Sequence, residues 1–125
     1  MRMLAARGIR GATTVTVNTE QAIVRETLCL LDEIVKANEV QPADIATVLI
    51  TVTDDITAAF PAKAIRQMPD WELVPLMCAM EIPVPGSLEM CIRIMLTVNT
   101  TKTQADIQHI YLNEAVRLRP DLKTS

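Results

Sequence analysis

A chain of 125 residues with 12 Lys and Arg against 15 Asp and Glu carries a formal net charge of −3; half of its residues are hydrophobic and only 2% aromatic. That balance excludes a nucleic-acid binder, because phosphate neutralisation needs clustered cations and base stacking needs aromatic platforms. The length predicts one domain, residues 1–125, with a modest core that has to be aliphatic.

Residues 7–17 read as a strand rich in Ile, Val and Thr and punctuated by Gly8 and Gly11. Asn18 stands as a helix N-cap, with Gln21 three residues on as a capping-box partner. Ile23, Val24, Leu28, Leu30, Leu31, Ile34 and Val35 then mark an apolar face at helical spacing that ends near Asn38, and Cys29 is assigned to that face. Pro42 falls in the first turn of a short helical segment. Residues 47–53, β-branched and apolar on both faces, predict a central strand. Pro61 opens a second helix over residues 61–68, which Pro69 and Asp70 break. Residues 72–77 read as a third strand bent at Pro75, residues 83–86 as a loop, and residues 92–98 as a further strand. Residues 103–112 predict a third helix, followed by a short extended tail over 115–118 closed by Pro120. The class is therefore α+β (mixed α/β): a mixed β-sheet with helices packed on one side.

The mean hydropathy of +0.24 is high for a small soluble monomer. A subunit interface is the natural place to hide such an excess, so a homo-oligomer is expected. No apolar run approaches membrane-spanning length and the apolar part of the N-terminal segment is too short for a secretory signal; a cytoplasmic protein with no membrane partner is expected.

Most catalytic constellations fail. Cys29, Cys78 and Cys91 are odd in number and lack CxxC spacing, which leaves disulfide and metal readings weak; Cys91, inside an apolar run, is assigned to the core. His109 is the single histidine, so no histidine-based metal cluster can form within one chain. It is placed on the third helix as a solvated or capping imidazole with no part in acid–base chemistry. Ser87 and Ser125 have no nucleophile-elbow context, and no glycine-rich cradle for a nucleotide is present. No metal and no cofactor is expected.

Arginine remains. Arg10 sits in Arg7-Gly8-Ile9-Arg10-Gly11-Ala12-Thr13, where glycines let another group approach closely. Arg93 interrupts Cys91-Ile92-Arg93-Ile94-Met95-Leu96 and, by strand alternation, points with Cys91 and Met95. An arginine there is costly unless it meets an anion. Two readings stay open: an ion pair with an internal carboxylate, or a planar fork clamping a ligand carboxylate. Glu81 is equally out of place in Ala79-Met80-Glu81-Ile82. In an extended chain residues 77, 79 and 81 would share one side and 78 and 80 the other, but the segment reads as too irregular for that alternation to hold.

These residues also carry a resemblance. Arg7-Gly8-Ile9-Arg10-Gly11-Ala12-Thr13-Thr14-Val15 resembles the N-terminal segment of the AroH-class chorismate mutases, the monofunctional trimeric Bacillus type. Phe60-Pro61-Ala62-Lys63-Ala64-Ile65-Arg66 is similar to their second signature. Val74-Pro75-Leu76-Met77-Cys78 leading to Glu81, then Pro85-Gly86-Ser87-Leu88 and Cys91-Ile92-Arg93, forms a third. Tyr111-Leu112 with Ala115-Val116-Arg117-Leu118-Arg119-Pro120-Asp121-Leu122 forms a fourth. The resemblance implies an isomerase that rearranges chorismate to prephenate, toward phenylalanine and tyrosine, without a cofactor. It further implies a homotrimer whose sheets make a pseudo-α/β-barrel with active sites at the subunit interfaces. The alternative is a non-catalytic trimer of the same fold that senses an aromatic-pathway metabolite.

By the same resemblance, Arg93 takes the position that contacts the substrate's ether oxygen and Arg10 one that binds a carboxylate. Glu81 and Cys78 fall near the ring hydroxyl and the reacting bonds, and Tyr111 hydrogen-bonds the ligand. Phe60, Lys63 and Arg66 match a rim supplied across the interface, with Leu76, Met77, Ala79, Met80 and Leu118 along the substrate pocket. Met77 stands where the Bacillus type has threonine, and Met80 where glutamine is common, so any side-chain polar contact at those two positions is lost. The tail after Leu122 is short.

Overall fold

Gly11 decides how closely the first two elements meet. The computed structural model describes residues 3–118, so the closure by Pro120, the Arg119–Leu122 part of the fourth motif and the tail beyond it lie outside the described residues. Strand β1 (Ala5–Thr14) runs beneath helix α1 (Glu20–Asn38). A Cβ on Gly11 would stand 2.5 Å from Ile34 Cδ1 and 3.1 Å from Leu30 Cδ1, so any side chain here forces the buried Ile34 to shift. At Gly8 the same construction meets only Met95 Sδ, at 3.5 Å. Gly11→Val is accordingly expected to destabilise the fold by about 1–3 kcal/mol through overpacking, while Gly8→Ala shifts the denaturation midpoint little. Equal midpoints for the two variants would contradict this packing.

Three further strands build the sheet around β1. They are β2 (Ile45–Val52), β3 (Leu76–Met80) and β4 (Cys91–Thr100), and a two-residue β5 (Ile110–Tyr111) completes it. The five-stranded order is β3-β2-β4-β1-β5. β4 pairs antiparallel with both β1 and β2, whereas β3 lies parallel to β2 and β5 parallel to β1. The sheet is thus mixed, as expected for an α+β chain. Helix α2 (Ala62–Arg66) joins α1 on one face of it, and Ile23, Leu30, Leu31, Ile34, Ile65, Ile9, Ile50, Ile94 and Leu96 form one aliphatic core between them. No helix is long and apolar enough to cross a membrane.

The other sheet face is bare over β2, β3 and β4. Leu49, Met77 and Met95 lie in one register row and are respectively 41%, 69% and 40% exposed. The strand of residues 47–53 is therefore interior in the sheet but covered on one face only.

Several sequence expectations shift for local reasons. The N-cap of α1 is Thr19, whose Oγ1 accepts from Ala22 N–H, while Asn18 instead accepts from the Thr57 and Ala58 N–H groups. Cys29 is exposed rather than in the core, because the buried stripe of α1 runs through Ala22, Ile23, Thr27, Leu30, Leu31, Ile34 and Asn38. The third strand begins later than its apolar run, since pairing starts at the Pro75 carbonyl, which accepts from Val48 N–H at 2.9 Å. Residues 103–112 are not a helix. Thr103 N–H does bond Asp106 at 3.2 Å, a helix-start signal, but only the 3-10 turn Gln104–Asp106 follows. Buried Asn38 then captures the Gln108 backbone, donating to its carbonyl and accepting from its N–H at 2.8 Å each, and the chain leaves as β5. The segment expected to be extended at 115–118 lies instead in and just after a 3-10 helix, Asn113–Arg117.

Candidate active site

Strand alternation brings the charged groups together on the bare face. Arg10 stands opposite Met95, and Ala12 opposite Arg93, across the β1–β4 ladder. Thr51 of β2 pairs with the other side of Arg93, and Ala79 of β3 pairs with Thr51. β3 is regular, so residues 77, 79 and 81 do share this face, and Glu81 emerges two residues beyond Ala79 with its N–H on the Val52 carbonyl at 2.8 Å. The alternation distrusted in the bare sequence holds.

Arg93 and Glu81 meet as a fork. Nε and Nη2 of Arg93 each donate to one carboxylate oxygen of Glu81 at 2.7 Å, the bidentate geometry that makes such pairs strong and directional. Thr51 Oγ1 donates to Glu81 Oε2 as well. The donation from Arg93 holds the Glu81 carboxyl below its ordinary pKa, with help from Thr51 and against the opposing effect of burial. The same bonds raise the Arg93 pKa, so the guanidinium is firmly charged. Glu81 is mostly enclosed, at 19% side-chain exposure, but Arg93 is half open at 50%. The ion-pair reading of Arg93 is thus present, and it leaves the outer edge of the guanidinium available.

That edge opens into a cavity of about 370 Å³, within the size range of small-ligand pockets. Arg10, Glu81, Arg93, Tyr111 and Leu118 line it, five of the residues singled out in the sequence. Tyr111 is held there by a small second core of Ala12, Cys91, Tyr111 and Ala115, against which Leu88 and Leu118 pack. Cys91 is buried as expected, and burial pushes its thiol up to about 11. Leu49, Thr51, Ile94 and Met95 also line the cavity and were not singled out. Thr51 in particular reads as an ordinary strand residue; only its register opposite Arg93, a long-range pairing, marks it.

The remaining candidates do not reach this cavity within the chain. Cys78 pairs with Ile50 and packs half-buried against the main core, so its thiol faces away from Arg93 and Glu81. Alternation forces this once Glu81 is on the site face. Leu76 packs on the same core side, and Met80 falls on that side at the strand's end, 65% exposed. Met77 and Ala79 lie on the cavity's face but on the outermost strand. Phe60, Lys63 and Arg66 sit on and just before α2, where Lys63 pairs with Glu20. His109 is not helical. It precedes β5, and its Nδ1 accepts from the Arg10 N–H at 2.9 Å. Among the described residues no cluster of His, Cys, Asp and Glu has a metal-binding arrangement.

The profile of the family "Chorismate mutase type I" matches residues 6–122. The chain is 47% identical over 116 residues to chorismate mutase AroH of Bacillus subtilis (strain 168), covering 93% of this chain and 91% of that protein. It is 49% identical over 120 residues to chorismate mutase AroH of Thermus thermophilus, covering 95% and 98% respectively. The solved chorismate mutase from Clostridium thermocellum superposes with a TM-score of 0.85 at 53% identity, over 87% of this chain and 96% of that one. The chain belongs to the type I chorismate mutase family.

Proposed function

We propose that the arginine-lined cavity is where this isomerase rearranges chorismate to prephenate, in aromatic amino acid biosynthesis in the cytoplasm, and that the site is completed across the interfaces of a homotrimer. The observation that carries the reading is the half-open Arg93 guanidinium, fixed by two bonds to Glu81 and facing the same cavity as Arg10.

The reaction is a concerted, unimolecular [3,3] shift. It needs no nucleophile, no proton transfer and no cofactor. What it needs is a compact conformer of a flexible dianion, and stabilisation of the ether oxygen as the C–O bond breaks. Arg10 supplies the first by holding a carboxylate, with Tyr111 hydrogen-bonding the ligand and Leu118 bounding the apolar side; this is an orientation effect. Arg93 supplies the second, as a preorganised donor aimed at developing charge. Loss of one such donor typically costs about 3–4 kcal/mol, against the roughly 8 kcal/mol of the smallest enzymatic accelerations. One arginine thus provides a large share but not the whole. Glu81 accepts from the ring hydroxyl and keeps Arg93 in register.

The bare sheet face supports an oligomer, of which the trimer is the form proposed. Met77, Leu49 and Met95 form a contiguous apolar row beside the cavity, and a soluble chain covers such a row with a partner. The edge strand β3 would bring the rim of a neighbouring subunit to the site. Because Pro75 and Glu81 direct their backbone groups to β2, those of Cys78, an odd three residues from each, alternate toward the open edge. Cys78 would then serve through its amide, not its thiol, alongside Phe60, Lys63 and Arg66. The test is direct: chorismate consumption with prephenate formation by the full chain, and sedimentation at three times the 13.8 kDa chain mass. A fully active monomer would remove the interface from the mechanism, and a trimer without turnover would leave a binding protein.

A further inference from the structure

Arg10 and Ala12 both turn their backbone groups toward β5. Ala12 completes its part of the ladder there, its carbonyl accepting from Leu112 N–H at 2.9 Å. The next rung belongs to Arg10, but β5 starts only at Ile110, paired with Gly11, and offers no backbone acceptor at that point. The Arg10 N–H is taken instead by a side chain, Nδ1 of His109, at 2.9 Å. His109 is itself well held. The two bonds between Asn38 and the Gln108 backbone tie the preceding residue to the end of α1, and β5 anchors the following one.

We propose that neutral His109 is a positioning residue for Arg10, supplying from its ring the sheet rung that β5 is too short to supply and so fixing the carboxylate anchor of the active site. The inference rests on the role given to Arg10 above. An imidazole can fill this place only as the tautomer with a lone pair on Nδ1 and the proton on Nε2. Charging the ring puts a second N–H against the Arg10 N–H; two donors then face each other and the rung is lost. The ring is partly exposed and lines a second cavity of about 330 Å³ with Gly8, Arg10 and Met95, so a proton reaches it from solvent. Arg10 is the charged side chain among the residues lining that cavity, and Asp106 lies on the 3-10 turn that precedes His109. Neither side chain replaces the acceptor that the Arg10 N–H needs.

The consequence falls on binding, because a carboxylate anchor that grips the compact conformer in the bound substrate and in the transition state alike changes KM more than kcat. Steady-state chorismate kinetics on the full chain test it with three variants. His109→Ala is expected to raise KM roughly three- to tenfold, the scale of one net hydrogen bond, with kcat changed by less than about twofold. His109→Asn, whose Oδ1 can take the place of Nδ1, is expected to restore most of that loss. In the wild type KM should rise once acid pH charges the ring, and in His109→Asn that rise should be absent. An unchanged KM in His109→Ala, beside a raised KM in Arg10→Ala, overturns the inference and leaves the role of Arg10 standing. Failure of His109→Asn to rescue, with its melting temperature intact, overturns it equally. An unchanged KM in Arg10→Ala overturns both readings.

Discussion

Arg93→Ala is expected to lower kcat by ~10²–10³-fold, the usual effect of removing one preorganised donor from developing negative charge. The structure makes the loss specific to the chemistry. Arg93 spends Nε and one Nη2 hydrogen on Glu81, and a guanidinium has five N–H donors in all. Arg93 lines the cavity, so the remaining ones are left for a ligand by a group already held in place by Glu81. Stability should hardly change, because a pair with one half-exposed member contributes at most about 1 kcal/mol. The melting temperature of Arg93→Ala should therefore stay near wild type while turnover collapses. Arg93→Lys should not rescue it: an ammonium cannot bond both oxygens of Glu81 and still present a fixed edge. Turnover within a few-fold of wild type in Arg93→Ala would remove Arg93 from its assigned role.

The parts of this arrangement legible in the sequence are those that follow from local pattern. Arg93 stood out because a charge inside an apolar strand is rare, and alternation alone placed it with Met95. Gly11 was legible as a place of close approach, and it is where Ile34 and Leu30 reach β1. The resemblance supplied Glu81 and Tyr111 to the same cavity. What the sequence hid depends on pairing at long range. Thr51 is one β-branched residue among many until β2 and β4 are in register. The helix expected at 103–112 has a genuine start signal, but Asn38, 70 residues away, holds the Gln108 backbone and lets β5 form. With the helix goes the expected solvated or capping place of His109, whose Nδ1 accepts from a backbone N–H 99 residues away. Cys78 shows the converse: the motif places it beside the site, and strand parity turns its thiol to the other face.

Glu81→Ala carries the second large effect, and it separates function from folding. Glu81 touches Arg93 through two bonds and Thr51 through one, so its removal frees the guanidinium to leave its place in the sheet face. A misplacement on the order of 1 Å in a positioned group can cost ~10²-fold in rate, and kcat of Glu81→Ala should fall by about that much. Glu81→Gln keeps an acceptor for Arg93 but not the charge, and should fall between. The pH dependence distinguishes the pair from a proton-transfer role. Because the folded Glu81 pKa is lowered, its stabilisation of Arg93 is fully present above the ordinary carboxylate range, near pH 4.3, and is lost only as pH falls through the lower folded value. At saturating chorismate, kcat should therefore be flat from neutral pH down into the acid range, where the pair opens. A bell-shaped kcat profile centred near neutrality would instead require a group that gives or takes a proton in the rate-limiting step, and the fork between Arg93 and Glu81 would then be scaffolding for chemistry carried by something else.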